Sequence, residues 1–137
     1  MTRLNPYISF KDTTRQAMEF YKQVFGGTLV MNTFKELYPT QDPVEDSKIM
    51  HAMLTTDKGL VFMASDTPKT MEHRPGANVS MSLSGDDEAE LRGYWDKLVE
   101  GAAVEMPLGV SPWGDTFGMM TDRFGVRWMV NITVKKA

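Results

Sequence analysis

The sequence predicts an α+β fold of two βαβββ modules whose strands form a cupped antiparallel sheet. Three observations carry this expectation. Two amphipathic helical segments ending at Gly lie 74 residues apart, with Phe20-Tyr21 matching Tyr94-Trp95 and Gly27 matching Gly101. Two hairpin signals recur at a spacing of 66, with Gly59 matching Gly125 and Met63 matching Met129. Short β-rich runs bounded by turn residues fall around them in the same order in each half. The first module is the longer one, and its extra residues fall in the Pro39–Asp46 region. A βαβββ unit cannot bury both faces of its own sheet, so the two modules are expected to share a core. The 137 residues are read as one domain, with a first module over 1–70 and a second over 76–137.

The elements follow in chain order. "NPYISF" is a short β-rich run and reads as the first strand. In "KDTTRQAMEFYKQVFGG", Thr13 with Gln16 three residues later is a capping-box signature. Ala17, Phe20, Tyr21, Val24 and Phe25 recur at helical spacing, and Gly26-Gly27 supplies the stop. Thr28 to Phe34 reads as a strand and Lys35 to Ser47 as a polar loop. "KIMHAMLTT" and "LVFMASD" read as a hairpin around Asp57-Lys58-Gly59. In the second half, "ANVSMSLS" reads as a strand. "GDDEAELRGYWDKLVEGA" reads as a helix capped by Asp86 or Asp87. "AVEMPL" is a strand, Gly109 to Asp115 a loop, and "TFGMMTD" with "VRWMVNITV" a closing hairpin.

Composition excludes several function classes. Hydrophobic residues make up 42% and charged residues 24%, as in ordinary globular domains. A formal charge of -3 gives no polyanion-binding surface, so nucleic acid is not an expected partner. With no Cys, disulfides, Cys-ligated zinc, Fe–S clusters and thiol catalysis are all excluded. No apolar run reaches the length of a membrane span, so no membrane association is expected. The start "MTRLNPYISF" lacks an apolar signal core, and the expected compartment is the cytoplasm.

Strand alternation divides each sheet into a helix-facing and a free side. In the second module, Val79, Met81 and Leu83 are expected against the helix, and Asn78, Ser80 and Ser82 opposite. Arg127, Met129 and Asn131 form the free set of the last strand, with Val126, Trp128 and Val130 behind them. In the first module, a three-residue hairpin loop with Gly59 in the left-handed position pairs Met53 with Met63 and His51 with Ser65. That register puts His51 on the free side; a two-residue loop would turn it to the helix.

The motifs "PYISF", "AMEFYKQVFGG", "KIMHAML" and "WGDTFGMMTDRFGVRWMVN" cover most of the chain's organisation. With the paired βαβββ repeat, they resemble the PhnB-like family of the vicinal oxygen chelate superfamily, the glyoxalase/bleomycin-resistance/dioxygenase fold. The resemblance implies a homodimer. Metal-dependent members hold a divalent ion with His and Glu from the first and last strands of each module. Carried over, those positions here are Pro6, Met63, Asn78 and Met129. Pro and Met offer a hard cation nothing useful, and one amide oxygen is a weak ligand. The expectation is no metal at the usual site and no cofactor. PhnB-like sequences are often named demethylubiquinone methyltransferases. An S-adenosylmethionine enzyme of the common type needs a Gly-rich strand–helix turn. Here Gly26-Gly27 follows a helix, and Gly109 and Gly114 lie in a loop.

The candidate ligand-binding residues follow from these faces. His51 is the candidate general base or donor, or else a structural residue bonded across the sheet. Met63, Ser65, Asn78 and Met129 supply mixed polar and adaptable apolar surface. Arg127 is either an anion clamp or a strand residue paired with a nearby acid. Trp113 and Phe117 either cap a planar ligand or close the core at a strand end. Asp122 is expected to initiate the hairpin turn. His73 is expected in a solvated linker. The Lys35–Ser47 loop with Tyr38 reads as a candidate lid. Twelve Met residues suit either an adaptable binding wall or ordinary core filling. Three functions remain open: a metal-independent small-molecule binder, an enzyme using His51 or an atypical metal site, and a protein-interaction module.

Overall fold

A computed structural model describes residues 2–134. The chain divides into two units, Met1–Pro75 and Gly76–Ala137, each carrying one four-stranded sheet. The first contains β1 (Tyr7–Phe10), α1 (Thr14–Phe25), β2 (Thr28–Thr33), α2 (Phe34–Leu37), α3 (Pro43–Asp46), β3 (Ile49–Thr55) and β4 (Val61–Asp66). The second contains β5 (Met81–Gly85), α4 (Glu88–Leu98), β6 (Ala103–Val110), β7 (Thr116–Thr121) and β8 (Arg127–Ile132). The strand orders are β1-β4-β3-β2 and β5-β8-β7-β6.

The sheets are mixed rather than wholly antiparallel. β1 runs parallel to β4, and β5 parallel to β8. Connectivity requires it. A helical crossover returns the chain so that the second strand of each unit repeats the direction of the first. Two hairpin reversals then restore that direction for the last strand.

The two long helices, α1 and α4, each seal one face of their own sheet. Ala17, Met18, Phe20, Tyr21 and Val24 of α1 are buried. The Tyr21 ring meets Phe62 of β4 at 5.5 Å, and Phe25 meets the same ring at 5.9 Å, both edge-on. In the second unit Leu91, Trp95 and Leu98 of α4 are buried, as are Trp128 and Val130 of β8. Gly118 of β7 lies so close to Trp95 that a Cβ there would sit 2.8 Å from its Cη2.

The helix caps differ in kind. Asp87 caps α4, accepting from the Glu90 amide at 3.1 Å. The capping box expected at Thr13 and Gln16 does not form, since Thr13 makes no side-chain cap bond. Instead the Thr14 amide donates to Asp66 Oδ1 at 3.0 Å. Asp66 is 52 positions away and buried at the end of β4, so no local pattern announces this cap.

Gly27 is fixed by a close approach. Its φ is +95°, and an added Cβ would lie 2.6 Å from Thr56 Cα, in contact with the Thr55 carbonyl. Backbone cannot swing aside as a side chain can. Gly27→Ala is expected to cost about 3 kcal/mol or more, measured by urea denaturation. A loss under about 1 kcal/mol would contradict the close approach.

Residues 35–47, expected as a loop, carry α2 and α3 instead. β2 stops at Thr33, where a register shift with β3 begins. Thr33 then caps α2 in a capping box with Glu36. Asp42 caps α3 through the Val44 amide at 3.0 Å. Helices of one turn show no periodicity, so only their caps, Thr33 with Glu36 and Asp42 before Pro43, mark them in the sequence.

This segment is tied down by charge. Lys48 pairs with Glu45 at 2.6 Å and Asp12 at 3.4 Å. Glu45 is buried and also accepts from the Lys69 amide, while the Lys69 ammonium pairs with Asp42 at 2.6 Å. Lys48 chiefly holds the Glu45 carboxyl below its ordinary value, and Lys69 does the same for Asp42. A depressed folded pKa contributes stability above the unfolded value, and that contribution is lost as pH falls through the folded value. Amide-exchange protection over residues 40–48 should therefore be intact at about pH 6 and decline from about pH 4.5 downward. Unchanged protection at about pH 3 would contradict this.

Candidate functional site

The β3–β4 hairpin has the three-residue loop. Gly59 takes φ +84°, the Thr56 amide bonds the Leu60 carbonyl at 2.9 Å, and Met53 lies opposite Met63. His51 therefore lies on the free face of the first sheet, with Met53, Met63 and Ser65, and is half-buried. The parallel pairing of Tyr7 with Met63 adds Tyr7 to that face. The Tyr7 and His51 ring centroids are 6.1 Å apart at 48°. β1 and β3 flank β4, two strand spacings or about 9.6 Å apart. The two rings are therefore closer together than the strands that carry them.

The free face of the second sheet carries Phe117 and Met119 of β7, and Arg127, Met129 and Asn131 of β8. Trp113, in the loop between β6 and β7, is 60% exposed and does not close the core. It meets Phe117 edge-on at 5.4 Å. Its indole N–H points to Asn131 Oδ1 at 3.4 Å, a long contact. The Asn131 amide donates to Asp115 Oδ2 at 3.1 Å. Asp115 also holds its own loop, its carbonyl accepting from Ser111 Oγ at 2.7 Å.

Arg127 is committed within the unit. It donates to the Ala77 carbonyl at 2.7 Å and pairs with Glu105 of β6 at 3.3 Å. Glu105 accepts from Thr121 at 2.8 Å. That bond first, and Arg127 second, hold its carboxyl below the ordinary value. Of the two readings of Arg127, the structure favours the strand residue paired with an acid.

Asn78 falls away from the sheet. β5 begins at Met81 rather than Ala77, leaving Asn78 exposed and Val79 76% exposed, not packed under α4. The cause lies in β8, which starts only at Arg127 because residues 122–126 form the hairpin turn. The parallel ladder therefore has no strand partner left for residues 78 and 79, which would fall opposite 125 and 126. Ser82 pairs with Met129 instead. His73 is also displaced from expectation: half-buried, with Nδ1 3.2 Å from Thr67 Oγ1.

Asp122 does initiate the hairpin, with its Oδ1 accepting from the Phe124 and Val126 amides at 2.8 and 3.0 Å. It also has a second role that the sequence does not reveal. Its Oδ2 accepts from the Trp128 indole at 2.8 Å, locking a buried ring from beneath the free face. Asp115 and Glu105 were likewise not assigned roles from sequence. The strand β6 has two register irregularities, which scramble the alternation that would have placed Glu105.

The chain's residues 3–130 match the model of the Glyoxalase/Bleomycin resistance protein/Dioxygenase superfamily. It is 27% identical to protein YjdN of Escherichia coli K12, over 94% of each chain. The solved structure of protein PA1353 from Pseudomonas aeruginosa superposes with a TM-score of 0.86 at 39% identity, covering 98% of this chain and 100% of that one. A PhnB protein from Bacillus cereus, described as a putative 3-demethylubiquinone-9 3-methyltransferase, superposes with a TM-score of 0.76. It is 24% identical, with 96% and 100% coverage, and shows likeness of fold.

Proposed function

The chain belongs to the glyoxalase/bleomycin resistance/dioxygenase superfamily, and from that premise we propose that it binds a small organic molecule on the free face of its second sheet. The carrying observation is Trp113. A 60% exposed indole, edge-on to Phe117 and beside the Asn131 amide, presents a planar apolar surface next to directional polar groups. That combination suits a planar ligand bearing a hydrogen-bonding substituent. Met119 and Met129 extend the surface with side chains that adapt in shape. In the first unit, His51, Met63 and Ser65 offer the corresponding face. Arg127 contributes shape rather than charge, since Glu105 already neutralises it.

This function does not use the divalent-metal site that the family resemblance implies. Two of the four positions are Met63 and Met129, whose thioethers do not hold hard cations. Pro6 has only its carbonyl, which accepts from the Met63 amide at 3.0 Å. Asn78 is exposed outside β5. Among the described residues no three His, Asp or Glu converge. A homodimer is part of the proposal, supported by the exposed Val30, Met106 and Val110 of the sheet-edge strands β2 and β6.

Trp113 also supplies the test. The chain has three Trp, and Trp95 and Trp128 are buried. Ligand-induced fluorescence changes at the exposed indole should be lost in Trp113→Phe, with affinity weakened about tenfold. A ligand that binds Trp113→Phe and Asn131→Ala as tightly as the parent chain would overturn this placement.

A further inference from the structure

Met53 and Met63 face each other across β3 and β4. The Met63 amide is spent on the Pro6 carbonyl of the other neighbour, so this is a non-hydrogen-bonded pair. In such pairs the Cα atoms approach to about 4.5 Å and the side chains lie closest. His51 lies two positions before Met53 on the same face, and its ring is 6.1 Å from that of Tyr7, on the far side of β4. Two thioethers and one imidazole therefore share one half-buried face, with the Tyr7 ring 6.1 Å from that of His51. The second sheet repeats the methionine pair as Met119 opposite Met129. There, the position corresponding to His51 is Phe117, at the same spacing of 66. Only the first sheet combines both donor types.

We propose that His51, Met53 and Met63 form a binding site for a soft monovalent cation of the Cu(I) and Ag(I) class. Thioether sulfur is a poor ligand for hard divalent ions but suits a polarisable d10 monovalent one, which accepts two or three donors. Imidazole nitrogen completes such a set without a carboxylate or thiolate. The Tyr7 ring, 6.1 Å from that of His51, is near enough to add cation–π attraction to a singly charged ion. The site needs no organic ligand, although it shares His51 and Met63 with the small-molecule face of the first unit.

The test is titration of the intact chain with Ag(I), and with Cu(I) under exclusion of oxygen, against a competing chromogenic chelator. One equivalent should bind, and the His51 ring resonances should shift as it does. His51→Phe, Met53→Leu and Met63→Leu keep apolar volume, and each should weaken binding about tenfold or more. His73→Ala and Met71→Leu remove the other imidazole and a 66% exposed thioether, and should leave affinity unchanged. Absence of binding at micromolar Ag(I), an equivalent that survives His51→Phe and Met63→Leu, or unmoved His51 resonances would each overturn the site. The ring resonances are read on the parent chain, so the last arm holds even if a variant fails to fold.

Discussion

Replacing Asp66 with Ala is expected to remove about 3–5 kcal/mol of stability, among the largest effects any single side chain here can show. Its carboxylate is buried at the end of β4 and accepts two backbone amides. Oδ1 takes Thr14 N at the start of α1 at 3.0 Å, and Oδ2 takes Ile49 N at the start of β3 at 2.8 Å. Hydrogen bonds to a charged acceptor are worth about 1.5–3 kcal/mol each, and truncation also strands two buried donors. Both ends of the unit's framework then lose their anchor. Asp66→Asn should recover part of the loss, since it retains one acceptor oxygen but turns an NH2 toward the second amide. Chemical denaturation of the three chains measures this. Equal stability of Asp66→Ala and the parent would contradict the bridging role.

The second large effect is at Asp122. One carboxylate accepts three donors, the Phe124 and Val126 amides and the Trp128 indole. It therefore closes the β7–β8 turn and fixes a fully buried ring of the second core at once. Asp122→Ala should cost about 3 kcal/mol or more. Asp122→Asn should keep the turn, with Oδ1 still accepting, while losing the indole contact. The altered Trp128 environment gives a near-ultraviolet circular dichroism change that a turn defect alone would not produce. If Asp122→Asn left both stability and the Trp128 signal unchanged, the indole bond would carry no weight.

These two aspartates also show where a sequence can be read and where it cannot. Asp122 announces its turn because an Asx residue acts on amides two and four positions ahead. Its bond to Trp128 is legible only after the hairpin register is known. Asp66 gives no local sign, because its partners lie 52 and 17 positions away. The two-module plan was readable because helices and hairpins repeat with fixed spacing, and Gly59 alone sufficed to choose the register that frees His51. What failed did so for physical reasons. Asn78 and Val79 look like a strand by alternation, but the ladder that would hold them ends with β8. Arg127 left two readings open, an anion clamp or a strand residue paired with an acid, because its partner Glu105 reaches it from β6. One-turn helices at 34–37 and 43–46 are set by caps and ion pairs, not by periodicity.

The measurement that bears most directly on the proposed function is a ligand screen on the intact chain, read by Trp fluorescence, with and without a strong divalent chelator. At least one planar organic compound should bind saturably below millimolar concentration, perturb the Trp113 signal and bind equally well in chelator. No saturable binding, or binding abolished by chelator and restored by a divalent metal, would contradict a metal-independent small-molecule site.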